Sequence, residues 1–215
     1  MKKLEALEVQ NFQGFFDPGE EKGGILVEQK KLVYGGALAG LSLAVSLLIH
    51  FPLIPQAPFL LYDPGDIPIL VAGFKFGPEL GLLLTAVVAV LFALITGQGG
   101  PWGVLMHFLA TGSYVVVAGF IYQRRRTQNG AIASLIIAPL FMTAIMTGAN
   151  LLVTPLYMGV EREIVKGMLL PAIIPFNLLK GVINGAITLL VYKKISNFIE
   201  EPLYERRKAA TRVRS

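Results

Sequence analysis

Three polar side chains interrupt the last hydrophobic run of this 215-residue chain. Asn177, Lys180 and Asn184 are spaced i, i+3 and i+7, which places them on one face of a helix. Lys180 lies about nine residues into the run, or roughly 13 Å along a helix that rises about 1.5 Å per residue. An ammonium group at that depth costs about 2.5–3.5 kcal/mol to insert into a membrane, so it requires a compensating partner.

The partner of Lys180 is not obvious from the sequence. The predicted spans contain no acidic residue, and Glu79 stands just before one of them, at the opposite, inner end. We therefore expect neutral acceptors, such as backbone or ligand carbonyls, to compensate Lys180. The alternative is that Lys180 snorkels or caps a broken helix and contacts no ligand.

A second polar row follows the preceding hydrophobic run, with spacings of 4, 3 and 4, and consists of Thr143, Thr147, Asn150 and Thr154. Threonines in helices commonly bond their own backbone, so Asn150 is the member that we single out. It lies near the outer end of its run, at a depth comparable with that of Asn177. Two amides and an ammonium from different helices could therefore converge on one ligand.

Signatures of catalysis and of metal binding are missing from the sequence. The chain has no cysteine, and His50 and His107 are not accompanied by an HxxxH or HExxH spacing. Paired carboxylates, a Ser-His-Asp set and a phosphate-binding Walker loop are also missing. These features predict no enzyme, no metal and no cofactor, and a transport role would need a partner that supplies energy.

The composition identifies the class of protein that must position these groups. Hydrophobic residues make up 54% of the chain and charged residues 15%, against about 25% charged in soluble domains. This predicts an all-α integral membrane protein. The chain has a net charge of +5. In membrane proteins, basic clusters usually mark cytoplasmic loops, so we do not expect nucleic acid as a partner.

We predict six membrane segments, the second of them short, at 32–54, 67–77, 80–96, 103–123, 131–153 and 171–192. GQGGP (97–101) is expected to be a turn. Trp102, beside this turn, is expected to be an interfacial aromatic residue. Residues 154–170 are expected to form an outer loop. The six-helix domain covers 31–196. Residues 1–30 are expected to be a cytoplasmic extension and 197–215 a basic cytoplasmic tail.

The distribution of cations predicts the orientation of the bundle in the cell membrane. If the N-terminus is cytoplasmic, all 19 Lys and Arg residues fall on that side except Arg162, Lys166 and Lys180. Because cations concentrate on the cytoplasmic side, both termini are expected there.

The stretch Phe51–Pro68 is apolar and contains five prolines, so a regular helix cannot cross it. Irregular apolar backbone in a membrane protein must be buried against protein or ligand. The orientation places this stretch outside the cell, which favours a lid over a binding cavity. Asp66 is expected to cap the helix that follows.

The first segment carries a row of small residues, Gly36, Gly40 and Ala44, spaced by four on one helical face. Such rows allow another helix to approach closely. The spacing alone does not distinguish packing inside this protein from contact with a partner.

The segments FPLIPQAPFLLYDPGDIP (51–68), GFKFGP (73–78) and PFNLLKG (175–181) resemble the substrate-binding S components of energy-coupling factor (ECF) vitamin transporters, most closely the riboflavin-specific group. The resemblance implies six helices with an ordered extracellular loop between the first two. It also implies a complex with a transmembrane scaffold (T) subunit and two ABC ATPases. The small-residue row would contact the scaffold subunit.

The resemblance further implies riboflavin as the transported substrate, bound by a set of residues from the loop and the last two helices. We assign to it Asn150, Asn177, Lys180, Asn184, Phe59, Leu60, Leu61 and Tyr62. The aromatic and aliphatic members would cover the flavin ring, and the polar ones would bond its carbonyl groups. Two alternatives are an S component for thiamine, biotin or pantothenate, and a membrane assembly protein whose polar residues only pack helices.

Overall fold

A computed structural model describes residues 24–192 as a bundle of helices, with side chains described from residue 31 onward. The expectations for 1–23 and 193–215 lie outside the described residues. The helices are α1 (Gly24–Leu48), α2 (Asp66–Phe76), α3 (Pro78–Thr96), α4 (Gly100–Arg124), α5 (Gln128–Met158), α6 (Arg162–Met168) and α7 (174–192). A π-helical turn, Leu169–Ile173, joins α6 to α7.

The six predicted membrane segments are confirmed as helices. Within the described part of the chain, α1, α3, α4, α5 and the combined α6–α7 are long and apolar enough to cross a membrane. The short segment, α2, has 11 residues and is buried from Asp66 to Phe74. It approaches α3 closely, as a Cβ distance shows. A Cβ atom added to Gly81 would lie 3.2 Å from the Cα of Gly73. The bundle therefore encloses a helix that is too short to span alone.

The first segment ends earlier than predicted, at Leu48 rather than at Ile54. After it, Phe51–Pro52 pairs antiparallel with Leu61–Tyr62. Proline disfavours a helical residue before it and donates no hydrogen bond of its own, which ends the helix. The proline-rich stretch is therefore a hairpin-like loop, and only its last three residues belong to α2.

The prediction of an outer loop at 154–170 is wrong. Helix α5 continues through Pro155 and ends only at Met158, where Gly159 adopts φ 65. Helix α6 begins at Arg162, after a connection of three residues, and the wider π turn contains Pro171, whose missing N–H removes one donor. The connection is thus reduced to residues 159–161.

The predicted turn at 97–101 is confirmed. Gly97, Gly99 and Gly100 all have positive φ, which glycine adopts without steric cost. At the other end of α4, Thr127 caps α5 by accepting a hydrogen bond from the Gly130 backbone N–H at 3.1 Å.

Two apolar cores hold the bundle and the loop. The larger one surrounds α2 and contains Ile69, Leu70 and Phe74, together with residues of α3, α4 and α5. The smaller one joins the loop to α6 and α7 and consists of Ala57, Leu60, Tyr62, Val165, Ala172, Ile173 and Phe176. The loop is therefore packed down on the bundle, as a lid requires.

Candidate functional site

A cavity of about 370 Å³ lies beneath the loop, between α3, α4, α5 and α7. Its walls are largely apolar, with Phe59, Leu60 and Leu61 from the loop and Phe92 and Phe176 from the helices. Small-molecule sites commonly enclose about 300–1,000 Å³ and combine apolar walls with a few polar groups. This cavity is within that range.

The polar side chains predicted to converge do meet at this cavity. Asn150 from α5 and Asn177 and Lys180 from α7 all line it. Each is almost fully buried, with 6% or less of its surface exposed. Separate helices thus present two amides and an ammonium to one cavity.

The two amides are held by their own helices. Asn150 Nδ2 donates to the Met146 carbonyl at 2.8 Å, and Asn177 Nδ2 donates to the Ile173 carbonyl at 2.8 Å. Thr154 donates to Asn150 Oδ1 at 2.8 Å. An amide nitrogen has two N–H donors, so each side chain retains one for a ligand.

The other threonines of the α5 row serve the backbone, as expected. Thr143 donates to the Pro139 carbonyl at 2.7 Å and Thr147 to the Thr143 carbonyl at 2.8 Å. Such bonds satisfy a hydroxyl within its own helix.

Lys180 is compensated by carboxylates, and the expectation of neutral acceptors is wrong. Its Nζ donates to Asp63 Oδ2 at 2.8 Å and lies 3.4 Å from Asp66 Oδ2. The sequence placed both acids in an outer loop, away from the spans. The loop instead folds into the bundle and brings its carboxylates to Lys180.

Asp63 is bound from several directions. Its Oδ1 accepts hydrogen bonds from Ser46 Oγ at 2.9 Å and from the Gly65 backbone N–H at 3.0 Å. Burial raises the pKa of Asp63, but the charges of Lys180 and His107 and the hydrogen bonds from Lys180 and Ser46 together outweigh burial and lower that pKa to about 2. Asp63 is therefore a charged anchor between the loop and α7.

Asp66 does not cap α2, contrary to expectation. It is the first helical residue, and the helix has no side-chain cap. Its Oδ1 accepts from Thr111 Oγ1 at 2.6 Å and its Oδ2 accepts from Asn184 Nδ2 at 3.0 Å. The carboxylate turns into the bundle because Lys180, Thr111 and Asn184 together satisfy it there.

Two residues assigned to the substrate, Tyr62 and Asn184, do not line the cavity. The Tyr62 hydroxyl donates to Asn184 Oδ1 at 2.9 Å, and Asn184 Nδ2 also approaches the Asp63 carbonyl oxygen at 3.2 Å. Both are buried and support the ion pair of Lys180. Helical spacing placed Asn184 on the correct face but could not show that the loop acids cover it.

Several lining residues were not assigned to the site from the sequence: His50, Gln98, Trp102, His107 and Tyr157. Trp102, which the sequence predicts to be an interfacial aromatic residue, also borders the cavity at the start of α4. His50 Nδ1 contacts the Ser46 carbonyl at 3.0 Å. These residues lie at segment ends or singly within apolar runs, where nothing in the pattern distinguishes lining residues from packing residues.

The small-residue row of α1 faces away from the bundle. Gly36, Gly40 and Ala44 are exposed, and an added Cβ atom on either glycine would meet nothing within 4 Å. The opposite face, with Leu38 and Ser42, is buried. The row is therefore available to a partner and is not used for packing within the described bundle.

Known transport proteins are similar to this chain along most of its length. Residues 30–192 match the family model described as "ECF transporter, substrate-specific component". Riboflavin transporter RibU of Staphylococcus aureus (strain TCH60) is 31% identical over 179 residues, which cover 80% of this chain and 94% of that protein. Riboflavin transporter FmnP of Bacillus subtilis (strain 168) is 27% identical over 181 residues, covering 80% and 95%.

A solved structure has the same fold. It is described as "Structure and mechanism of the S component of a bacterial ECF transporter" and aligns with a TM-score of 0.69 at 31% identity. The alignment covers 81% of this chain and 99% of the other. Because the family model matches residues 30–192, the chain belongs to the family of substrate-specific (S) components of ECF transporters.

Proposed function

We propose that this chain is the riboflavin-binding S component of an ECF-type importer. It captures riboflavin outside the cell and delivers it across the membrane together with an energising module. The observation that carries the proposal is the loop-covered cavity, in which apolar walls surround amide and ammonium donors from α5 and α7. The similarity to proteins named riboflavin transporters supports the choice of ligand.

Riboflavin matches the chemistry of this cavity. It has a flat three-ring system with carbonyl acceptors and a chain of hydroxyl groups. Phe59, Leu60 and Leu61 cover the ring, while Asn150, Asn177 and Lys180 donate to its polar groups. Lys180 has three N–H donors, so donation to Asp63 leaves capacity for a ligand carbonyl. Because the Lys180 ammonium already pairs with Asp63 and lies beside Asp66, the site does not demand an anionic ligand.

The energising module consists, in this proposal, of a transmembrane T subunit and two ABC ATPases. The chain has no phosphate-binding loop of its own, and as a transport component it is not an enzyme. The exposed row Gly36, Gly40 and Ala44 is the surface that we assign to the T subunit. Helices with small residues at the contact can approach closely in a membrane.

The proposed orientation places both termini in the cytoplasm and the loop outside. It rests on the cation distribution, which leaves only Arg162, Lys166 and Lys180 away from the cytoplasmic side. Residues 1–30 then form a cytoplasmic extension, 31–196 the substrate-binding domain and 197–215 a basic tail.

A binding titration tests the ligand assignment. Purified protein should quench the fluorescence of added riboflavin with saturation at one ligand per chain. A thermal-shift series with riboflavin, thiamine, biotin and pantothenate should show stabilisation by riboflavin, because a ligand that binds only the folded state raises its stability. If another vitamin stabilised the protein and the fluorescence of added riboflavin were not quenched, that vitamin would be the substrate and the riboflavin assignment would be wrong.

A further inference from the structure

His107 lines the cavity from α4, a helix that supplies none of the polar ligand contacts proposed above. Its Nε2 is buried and has no hydrogen-bond partner among residues 24–192. Buried polar atoms in proteins are nearly always hydrogen-bonded, so an unpartnered one beside a cavity is a candidate ligand contact.

The position of His107 within α4 directs its ring toward the ligand space. Gly103, Met106 and Ala110 also line the cavity, at i−4, i−1 and i+3 relative to His107. These residues share one helical face, which forms the α4 wall of the cavity. His107 is the polar member of an otherwise apolar wall.

The ring also lies beside the charged end of the cavity. It is close enough to interact electrostatically with both Asp63 and Lys180. Lys180 is the residue assigned to the carbonyl groups of the flavin ring. His107 on α4 would therefore face the same edge of a bound flavin ring as Lys180 on α7, but from a different helix.

We propose that His107 hydrogen-bonds the polar edge of the flavin ring and acts as a specificity-determining contact from α4. The inference rests on the proposed function. A neutral imidazole has one donor and one acceptor, and the polar edge of a flavin has carbonyl acceptors next to an N–H donor. Binding of the flavin then gives Nε2 the partner that it lacks.

The test compares riboflavin with lumiflavin, which keeps the ring but replaces the hydroxylated chain by a methyl group. Affinities for both are measured by fluorescence quenching in the wild type and in His107→Phe. The expected loss is about tenfold for each ligand, equivalent to about 1.4 kcal/mol. His107→Gln, which keeps a donor and an acceptor, should stay within about threefold of the wild type.

Leu105→Phe is the matched control, because it introduces the same side chain at an exposed position on the same helix. Its affinities should equal those of the wild type. If His107→Phe melts at a lower temperature, His107→Leu serves as a second apolar variant without a larger side chain.

Unchanged affinities in the apolar variants would overturn the contact. A loss for riboflavin but not for lumiflavin would move His107 to the hydroxylated chain and overturn the assignment to the ring. A wild type that binds neither flavin would instead overturn the proposed function.

Discussion

Lys180 has two roles that belong to different parts of the protein. One N–H donates to Asp63 and secures the loop, while the side chain also borders the cavity. Removing one partner of a buried ion pair leaves an uncompensated charge, which typically costs about 3–5 kcal/mol. A substitution of Lys180 alone therefore mixes loss of stability with loss of ligand contact.

We expect Lys180→Met to weaken riboflavin binding at least tenfold and to lower the melting temperature, because Asp63 and Asp66 lose their cation. Adding Asp63→Asn should recover part of the melting temperature, since it removes one unpaired carboxylate. It should not recover affinity, which is measured by fluorescence quenching. Full recovery of binding in the double variant would show that Lys180 serves only the ion pair.

The pH dependence of stability should show that Asp63 stays charged throughout the neutral pH range. Its pKa is lowered to about 2, so its stabilising effect is present above the unfolded pKa of about 3.9 and is lost as pH falls toward 2. The difference in melting temperature between the wild type and Asp63→Asn should be constant from about pH 5 to 8. A difference that vanished within this range would mean that Asp63 titrates there.

At this scale the sequence predicted the groups that stand out chemically from an apolar run. Asn150, Asn177 and Lys180 could be found in this way, because a polar residue in a membrane helix requires a reason. Asp63 and Asp66 could not be placed, since their position depends on how the loop folds back. A stronger use of charge balance, requiring an acid for every buried cation, would have pointed to these two residues.

The loop lines the cavity, and it packs tightly against α1 at Gly65. A Cβ atom added there would lie 1.9 Å from Ser46 Oγ and 3.0 Å from the Ser42 carbonyl oxygen. The same two serines bond the loop, Ser46 to Asp63 and Ser42 to the Gly65 carbonyl at 2.6 Å. Even a methyl group therefore disturbs the contact between α1 and the loop.

Gly65→Ala should lower the melting temperature by several degrees, since overpacking a well-packed site costs about 1–3 kcal/mol. Riboflavin affinity should fall as well, because the loop can no longer pack down over the ligand. Gly148→Ala is the control, as an added Cβ atom meets nothing within 4 Å there. Equal melting temperatures for the two variants would contradict the tight contact at Gly65.

The helices were predictable as elements, but their ends were less so. Length and apolarity identified six segments, including the short α2. The segment 154–170, with its charged residues Glu161, Arg162, Glu163 and Lys166, was predicted as a loop, but the structure has helix and a π turn there. Pro155 lies inside α5. Proline indicates a lost hydrogen bond, but packing against the rest of the bundle decides whether the helix continues.

At the scale of the whole molecule, capture and energy supply are divided between proteins. This chain contains the cavity, while the proposed T subunit and ATPases supply the energy. The contact must then lie on an outer face, and α1 presents Gly36, Gly40 and Ala44 there. Binding and uptake should consequently be separable by mutation.

We expect Gly40→Leu to abolish riboflavin uptake by cells that express the complete transporter, because the side chain blocks close approach of a partner helix. Riboflavin binding by the purified chain should be unchanged, since a Cβ atom added at Gly40 would meet nothing from the rest of the bundle within 4 Å. Gly148→Leu, an exposed glycine on α5, is the matched control and should retain uptake. Loss of binding along with uptake in Gly40→Leu would argue that the row supports the fold.

The most direct test of the central claim is the visible absorbance spectrum of the purified chain after incubation with riboflavin and removal of free ligand. The loop-covered cavity predicts a retained flavin spectrum at one flavin per chain, with the spectrum reduced in Lys180→Met. A wild-type protein that retains no flavin and does not quench added riboflavin would contradict the assignment of this cavity to riboflavin.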